Sequence, residues 1–543
     1  MSLDLQPDAL AIVQEILRRQ VPERAVWAFG SRVRGTARPV SDLDLCICGD
    51  EFLGFERLGR LRDAFSASAL PFRVDVVELA TSSESFRRII EREKVVVQDR
   101  KQPAHTLEET SWPRLSLKQS GIILIDCDHK TPPESDSGYP YIAIPQIRDG
   151  KITLEGVRRI SYEHYTEWTR KLKPQHNDVI VVRRCNSGDT AVVPKGLECT
   201  IGQNLVVLRA DGTMVLPEFL RWLLQSPEWW EEVRKYINVW AVFDSLKCRE
   251  IPDFELTIPP VSAQHKITNI LKALDDRITL LRETNATLEA IAQALFKSWF
   301  IDFDPVHARQ QGLAPEGMDE ATAAPFPDSF EESELGLIPK GWRVGVLGDI
   351  ATLNPESWTT KNHPTTVAYI DLANTKDNII SVITDYTFDE APSRARRVLR
   401  NGDTIVGTVR PGNRSFAFIH EPPINLTAST GFAVLRPNKN LYTELVFLIS
   451  TQPSSIDCLS HLADGGAYPA VRPEVIETIQ CVLPDDLVVK VFHKLSSPLL
   501  VKVTENQHQA QILTTLRDTL LPRLISGQLR LPEVERSVGE VIA

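Results

Sequence analysis

The feature that most restricts the fold of this chain is that a large part of it is written twice. YIAIPQIRDGKI, from Tyr141, returns 228 residues later as YIDLANTKDNII, from Tyr369, with apolar and turn positions in step. NDVIVV (from Asn177) returns as GDTIVG (from Gly402), and NLVVLRA (from Asn204) as GFAVLRP (from Gly431). Short apolar runs bounded by Gly, Asn and Asp predict strands joined by turns, so two copies of one α/β unit are expected.

Each copy ends in a helical period, now at an offset of 225. Ile267, Ile270, Leu274, Ile278, Leu281, Leu288, Ile291, Leu295, Phe296 and Phe300 recur at spacings of three, four or seven. Phe492, Leu495, Leu499, Val503, Leu513, Leu516, Leu520, Leu521 and Ile525 repeat the pattern. The stripe from Ala263 to Phe303 predicts a rod of roughly 60 Å. Two such rods bury their stripes most economically against each other as an antiparallel coiled coil, with a globular unit at either end. The alternative is that each rod packs on its own unit.

The 543 residues carry a net charge of -11, which argues against a generic binder of nucleic acid. Much of the excess is local. Residues 301–340 hold Asp302, Asp304, Glu316, Asp319, Glu320, Asp328, Glu331, Glu332 and Glu334 against Arg309 and Lys340. Rich in Pro, Gly and Ala and without a sustained period, this stretch reads as an exposed acidic linker. The expected organisation is a domain over 1–103, a first unit over 112–260 and a helical region over 261–304. The linker (305–340), a second unit (341–484) and a distal helical region (485–531) follow.

Eight cysteines without a C-x-x-C pair, and histidines without an H-x-x-x-H pair, predict a reduced protein with no zinc site. The absence of a long apolar run and of a secretion signal predicts a cytoplasmic location with no membrane contact.

HKITNILKALDDRITLLRETNATLEAIAQALFKSWFIDFDPV, GDTIVGTVRPGNRSFAFIHEPPINLTASTGFAVLRP and LPRLISGQL together resemble the specificity (S) subunits of type I restriction-modification systems, from about Trp112 to Leu531. The resemblance implies two target-recognition domains, each followed by a long helix and each reading one half of a bipartite site in double-stranded DNA. It also implies partners: two methyltransferase (M) subunits and, with them, restriction (R) subunits. No cofactor is expected for this part. No N-P-P-[YF] or D-P-P-[YF] methylation motif and no G-x-x-x-x-G-K-[ST] loop occurs in it, so chemistry on DNA belongs to the partners. The residue chemistry agrees. Arg394, Arg396, Arg397, Arg400, Arg410 and Arg414 stand against the single Asp403 in one turn-rich segment, with Asn413 among them, and arginine forks suit phosphates and guanine edges. The first copy offers Arg183, Arg184, Asn186, Ser187, Gln203 and Asn204. For any one of these the alternative is a solvated turn.

The first hundred residues lie outside that resemblance. AVWAFGSRVRGTARPVSDLDLCIC reads as a strand, a Gly-Ser turn into a helix, and a second strand headed by Asp42 and Asp44 on one face. Asp75 lies in FRVDVVEL, where a lone buried charge is costly, so three carboxylates around one candidate metal centre is the simplest explanation. The segment resembles the minimal nucleotidyltransferases of the DNA polymerase beta superfamily. That resemblance assigns Gly30 and Ser31 to the phosphates of an NTP and Asp42, Asp44 and Asp75 to Mg²⁺ and catalysis, with attack on the α-phosphate expelling pyrophosphate. Arg32 and Arg34 are placed to neutralise phosphate charge, and for either the alternative is a plain surface residue. Such domains are similar to antitoxins that adenylylate a helical partner. Two functions follow: a DNA-specificity subunit with an accessory nucleotidyltransferase domain, or a nucleotidyltransferase delivered by DNA-recognition domains.

Overall fold

The computed structural model describes residues 3–22, 24–34, 37, 41–49, 53, 55–68, 70–79, 90, 93–98, 112–128, 130–237, 244–465, 469–529 and 531–542. The chain divides into two compact units, Met1–Ser111 and Trp112–Ala543. The expected first boundary at 103 lies outside the described residues.

In the first unit, strands β1 (Val26–Phe29), β2 (Leu43–Ile47), β3 (Val74–Glu78) and β4 (Val95–Gln98) form one sheet in the order β3-β2-β1-β4. Helix α1 (Pro7–Gln20) carries Asp8 in its first turn and Arg18 and Arg19 in its last, signs that complement the helix dipole. Val13 and Leu17 of this helix, with Leu61 and Phe65 of α3 (Phe55–Ser66), cover Val26, Ala28, Leu43 and Leu45 of the sheet. Strand alternation turns Asp44 and Asp75 to the other face.

The second unit shows the duplication in three dimensions. In the first copy the sheet runs Thr190–Val192, Val179–Val182, Leu205–Ala210, Ile122–Asp126, each pair antiparallel. The second copy repeats that order with Phe416–Phe418, Thr404–Gly407, Phe432–Pro437 and Ala351–Leu353. A second sheet in each copy contains a parallel pair, Tyr139–Ile142 with Thr200–Ile201 and Thr366–Ile370 with Leu426–Ser429. Among the described residues only the second copy adds an edge strand, Ala395–Val398. A polar core element is duplicated too. Asp178 is buried and takes a two-pronged contact from Arg209 (2.7 and 2.6 Å), and Asp403 takes the same contact from Arg436 (2.8 and 2.9 Å). In both, Oδ2 also accepts a backbone N–H three residues upstream, from Gln175 or Arg400, at 2.7 Å.

Two helices of 40 residues, Val261–Phe300 and Asp486–Ile525, pair antiparallel. The direction follows from their contacts: Asp275 meets Arg517, Asn285 meets Asn506, and Trp299 meets Phe492. Buried positions recur every seven residues, Leu271, Ile278, Asn285, Ala292 and Trp299 on one helix and Val489, Ser496, Val503 and Ala510 on the other, where half-buried Arg517 takes the next place before buried Leu524. A strict seven-residue seam is the pattern of a left-handed coiled coil. Ile291 and Leu495, expected in the seam, are exposed because they fall outside that period.

Each copy docks on the helical pair through a hairpin tip. Ile147–Arg148 pairs with Lys151–Ile152 across Asp149-Gly150, and Thr375–Lys376 pairs with Ile379–Ile380 across Asp377-Asn378. All four turn residues have positive φ (49°, 74°, 47° and 63°), as a two-residue type I′ turn requires. At the first tip Lys151 donates to Thr279 (3.1 Å) and lies 3.6 Å from Asp275. Asp275 also receives Arg221 (2.9 Å) and Arg517 (2.8 Å), so one carboxylate ties the first copy to both helices. At the second tip Asn378 donates to Glu289 (2.7 Å) and its carbonyl accepts from Gln507 (2.8 Å). Burial raises the Glu289 carboxyl, against the lowering effect of Asn378.

Burial acts to raise the Asp275 carboxyl too, but Arg221, Lys151 and Arg517 together hold it below the usual range. A depressed carboxyl contributes stability that is complete above the unfolded value and is lost as pH falls through the folded one. Asp275→Asn is therefore expected to weaken docking of the first hairpin by about 3 kcal/mol at neutral pH. The wild type should lose the same contribution below about pH 4. Amide exchange over residues 147–152 measures both, and unchanged protection in the variant would rule the hub out.

The expected acidic linker is corrected. Residues 304–340 fold as a helix (Asp304–Gln310), a short turn of helix (Glu320–Ala323) and a hairpin (Phe330–Ser333 with Gly336–Pro339). Val306 and Phe326 are buried among Trp299, Phe300 and Trp342, and Ile338 is buried as well, while the nine acidic side chains stay exposed. The anchors are too irregularly spaced to give a period. The sequence reading also stopped at 531, yet a further helix, Leu531–Ile542, buries Val534 and Val538 in the core shared by the first copy and the long helices.

Candidate functional site

Two sites were expected, and the structure treats them differently. At the first, β1 and β2 run antiparallel with Phe29 opposite Asp44, which brings Gly30 against the Asp44 carboxylate. A Cβ at Gly30 would lie 2.2 Å from Asp44 Oδ2, and its φ is +79°, so only glycine fits this turn. Ser31 then opens α2 (Ser31–Arg34). Strands β2 and β3 are parallel, with Asp44 directly opposite Asp75, and Asp42 is exposed just before β2.

The charge balance follows from this geometry. Burial, then Asp75, then Asp42 raise the Asp44 carboxyl, and Arg34 lowers it. Crowded carboxylates of this kind are relieved by a bound cation. Asp75 is held meanwhile by Arg73 at 3.0 Å. Among the described residues no three His, Cys, Asp or Glu side chains already stand together in a metal-binding group, so the donors have the right chemistry without a finished cage. Arg32, expected beside phosphate, is corrected. It is buried, donates to the carbonyls of Ser41 (2.9 and 2.6 Å) and Asp4 (3.1 Å), and lies over the Phe72 ring. It therefore braces the segment that leads into Asp42. Arg34 is exposed, 3.4 Å from Glu93.

At the second site, the expected residues form two sets. Arg184, Asn186, Gln203, Arg394, Arg410 and Asn413 are exposed. Arg183 instead contacts the carbonyls of Leu246 and Gln203, Ser187 is buried and donates to the Arg183 carbonyl (2.8 Å), and Arg414 pairs with Asp377 beside Phe416. Arg396 covers Phe388, and Asn204 is half-buried. Arg397 is half-buried, and burial lowers its guanidinium despite Glu474.

The backbones of the two copies correspond where the side chains do not. Leu246 donates to the Arg183 carbonyl and Val471 to the Thr408 carbonyl, each at 2.9 Å, so Thr408 stands where Arg183 does. Cys185 and Arg410 both have left-handed backbones at the next turn. Arg396 and Arg397 lie in the edge strand that, among the described residues, the first copy lacks, and Arg394 directly precedes it. Sequence reasoning missed a cleft of about 440 Å³ in the first copy, where Thr131, Tyr141, Gln146 and Arg158 join Gln203 and Asn204. It also missed Asp275 and the Asn285–Asn506 pair, whose signal was a polar residue inside an apolar period.

Residues 12–103 match the family described as polymerase beta nucleotidyltransferase, and residues 126–290 match the type I restriction modification DNA specificity domain. The MjaIX specificity subunit of Methanocaldococcus jannaschii is 25% identical over 406 residues, covering 74% of this chain and 87% of that protein. The HindI specificity subunit of Haemophilus influenzae is 27% identical over 386 residues, covering 61% and 81%. A probable protein adenylyltransferase, MntA of Haemophilus influenzae, is 52% identical over 98 residues, covering 18% of this chain and 86% of that protein. No helix among the described residues is long and apolar enough to cross a membrane. The chain therefore belongs to the specificity-subunit family of type I restriction-modification systems and carries, ahead of that body, a unit of the polymerase beta nucleotidyltransferase family.

Proposed function

We propose that the duplicated body reads a bipartite site in double-stranded DNA, one half-site per copy, and serves as the platform for two methyltransferase subunits and for restriction subunits in the cytoplasm. The observation that carries this is one sheet order built twice, held apart by an antiparallel helical pair. Arg184, Asn186, Gln203 and Asn204 contact one half-site. Arg394, Arg396, Arg397, Arg410 and Asn413 contact the other, with Arg183, Ser187 and Arg414 holding the turns that present them. Different side chains on matching turns give different half-sites, because base edges are read by side-chain geometry.

Replacing residues 112–260 with the corresponding unit of another specificity subunit is expected to change one half-site and to leave the other half and the unread spacer intact. Methylome sequencing reads the outcome. Simultaneous change of both halves would refute the division of labour.

The N-terminal unit is proposed to use an NTP with Mg²⁺, a reading favoured by its 52% identity to a probable protein adenylyltransferase. Mg²⁺ would supply charge neutralisation at the phosphates. Gly30 and Ser31 give the triphosphate close approach to the backbone, Asp42, Asp44 and Asp75 hold the cation, Asp75 also orients the attacking group, and Arg34 faces the phosphates from outside. If this is the principal activity, the DNA-recognition copies deliver an enzyme. NTP-dependent labelling of a protein or nucleic acid by the purified chain would support that second reading, and co-purification with a methyltransferase subunit supports the first.

A further inference from the structure

The seam between the long helices contains two asparagines, and they meet. Asn285 and Asn506 are only 8% and 3% exposed. Asn506 Nδ2 donates to Asn285 Oδ1 (2.9 Å), and Asn285 Nδ2 donates to the Val503 carbonyl (2.9 Å). Their positions recur every seven residues as Leu271, Ile278, Ala292 and Trp299 on one helix, and as Phe492, Leu499, Leu513 and Leu520 on the other. A seam with a strict seven-residue period fits itself almost equally well after a slip of seven, because apolar side chains again face apolar side chains. The asparagines break that degeneracy. After such a slip Asn285 would face Leu499 or Leu513, leaving both amides buried without partners, at the cost that attaches to any unsatisfied buried polar group. The Asp275–Arg517 pair, and Asn378 bound to Glu289 on one helix and Gln507 on the other, also belong to the present register, but they lie at the flanks of the seam where the hairpins dock.

We infer that the Asn285–Asn506 pair selects one register of the helical pair and thereby the length of the unread DNA spacer. This rests on the proposed reading of the body as a bipartite DNA reader. A slip of seven residues moves one helix about 10 Å along the other. At 3.4 Å per base pair that displacement corresponds to about three base pairs of spacer.

The test uses the full chain. Spin labels are placed through a non-cysteine handle at Leu280 and Leu487, both exposed. They lie roughly 36 Å apart along the seam by the helical rise. Wild type should give one distance. Asn285→Leu with Asn506→Leu keeps the seam apolar and should add a second distance displaced by about 10 Å, with methylated sites of more than one spacer length in the assembled complex. Moving the pair within the same register, by adding Ile278→Asn and Leu513→Asn to that variant, should restore a single distance. A single distance in the double-leucine variant overturns the inference, as does a relocated pair that fails to restore one. Two distances with an unaltered single spacer would spare the register lock and refute instead the ruler on which the DNA reading depends.

Discussion

Asp42→Ala combined with Asp44→Ala is expected to abolish Mg²⁺-dependent nucleotide use while leaving sequence-specific DNA binding at the wild-type level. Asp44 is the carboxylate with the most to gain from a cation, since burial, Asp75 and Asp42 all raise its carboxyl. Without Asp42 and Asp44, only Asp75 remains, and Arg73 already neutralises it. Removing two mutually repelling charges should not weaken the metal-free fold. Calorimetric titration of MgATP into both proteins, with a DNA-binding assay in parallel, reads the two halves of the expectation. Equal nucleotide binding would eliminate the proposed metal site. Lost DNA binding in a folded variant would show that residues before 112 contribute to recognition.

Arg436→Met should destabilise the second copy by about 3 to 5 kcal/mol at neutral pH, and Arg209→Met should do the same to the first, because each strands a buried carboxylate. Asp403 is fully buried, and burial raises its carboxyl even with Arg436 present. Without the guanidinium that value rises further. A raised carboxyl costs most above the folded value and nothing below the unfolded one, so the defect should shrink as pH falls toward about 4. Asp403→Leu together with Arg436→Met should recover most of the loss, since the apolar replacement leaves no charge unpaired. Because the chain has several units, amide exchange of Thr404–Gly407 is a better readout than a single melting temperature. An Arg436→Met variant with unchanged protection there would show that the pair contributes nothing.

Much of this architecture is legible in the sequence because it is periodic. The strand repeats from Tyr141 and Tyr369 and the apolar stripes of the long helices are patterns that burial must obey. Gly30, Asp42, Asp44 and Asp75 are legible for a different reason, since few folds need a Gly-Ser turn followed by carboxylates on one strand face. What escaped lacks a period or depends on distant partners. Val306, Phe326 and Ile338 anchor the acidic connector at irregular spacings. Arg32 could not be distinguished from a phosphate ligand until its carbonyl partners, Ser41 and Asp4, were seen. Arg183 and Arg414 look like surface arginines in a linear chain, and only the fold turns them toward Leu246 and Asp377.

The second unit closes on itself. Arg114–Ser116 pairs with Glu255–Thr257, and Trp112 lies close enough to Gly527 that a Cβ there would come within 3.2 Å of its ring. The path from one copy, along one helix, through the other copy and back along the second helix is thus a ring whose two open strands of peptide meet at one corner. A ring has no obligatory first residue. A gene that kept the last helix, joined 542 to 112 through a flexible connector and opened instead in the turn at Leu335 would encode the same contacts in a different linear order, and the body's geometry would be indifferent to where translation began.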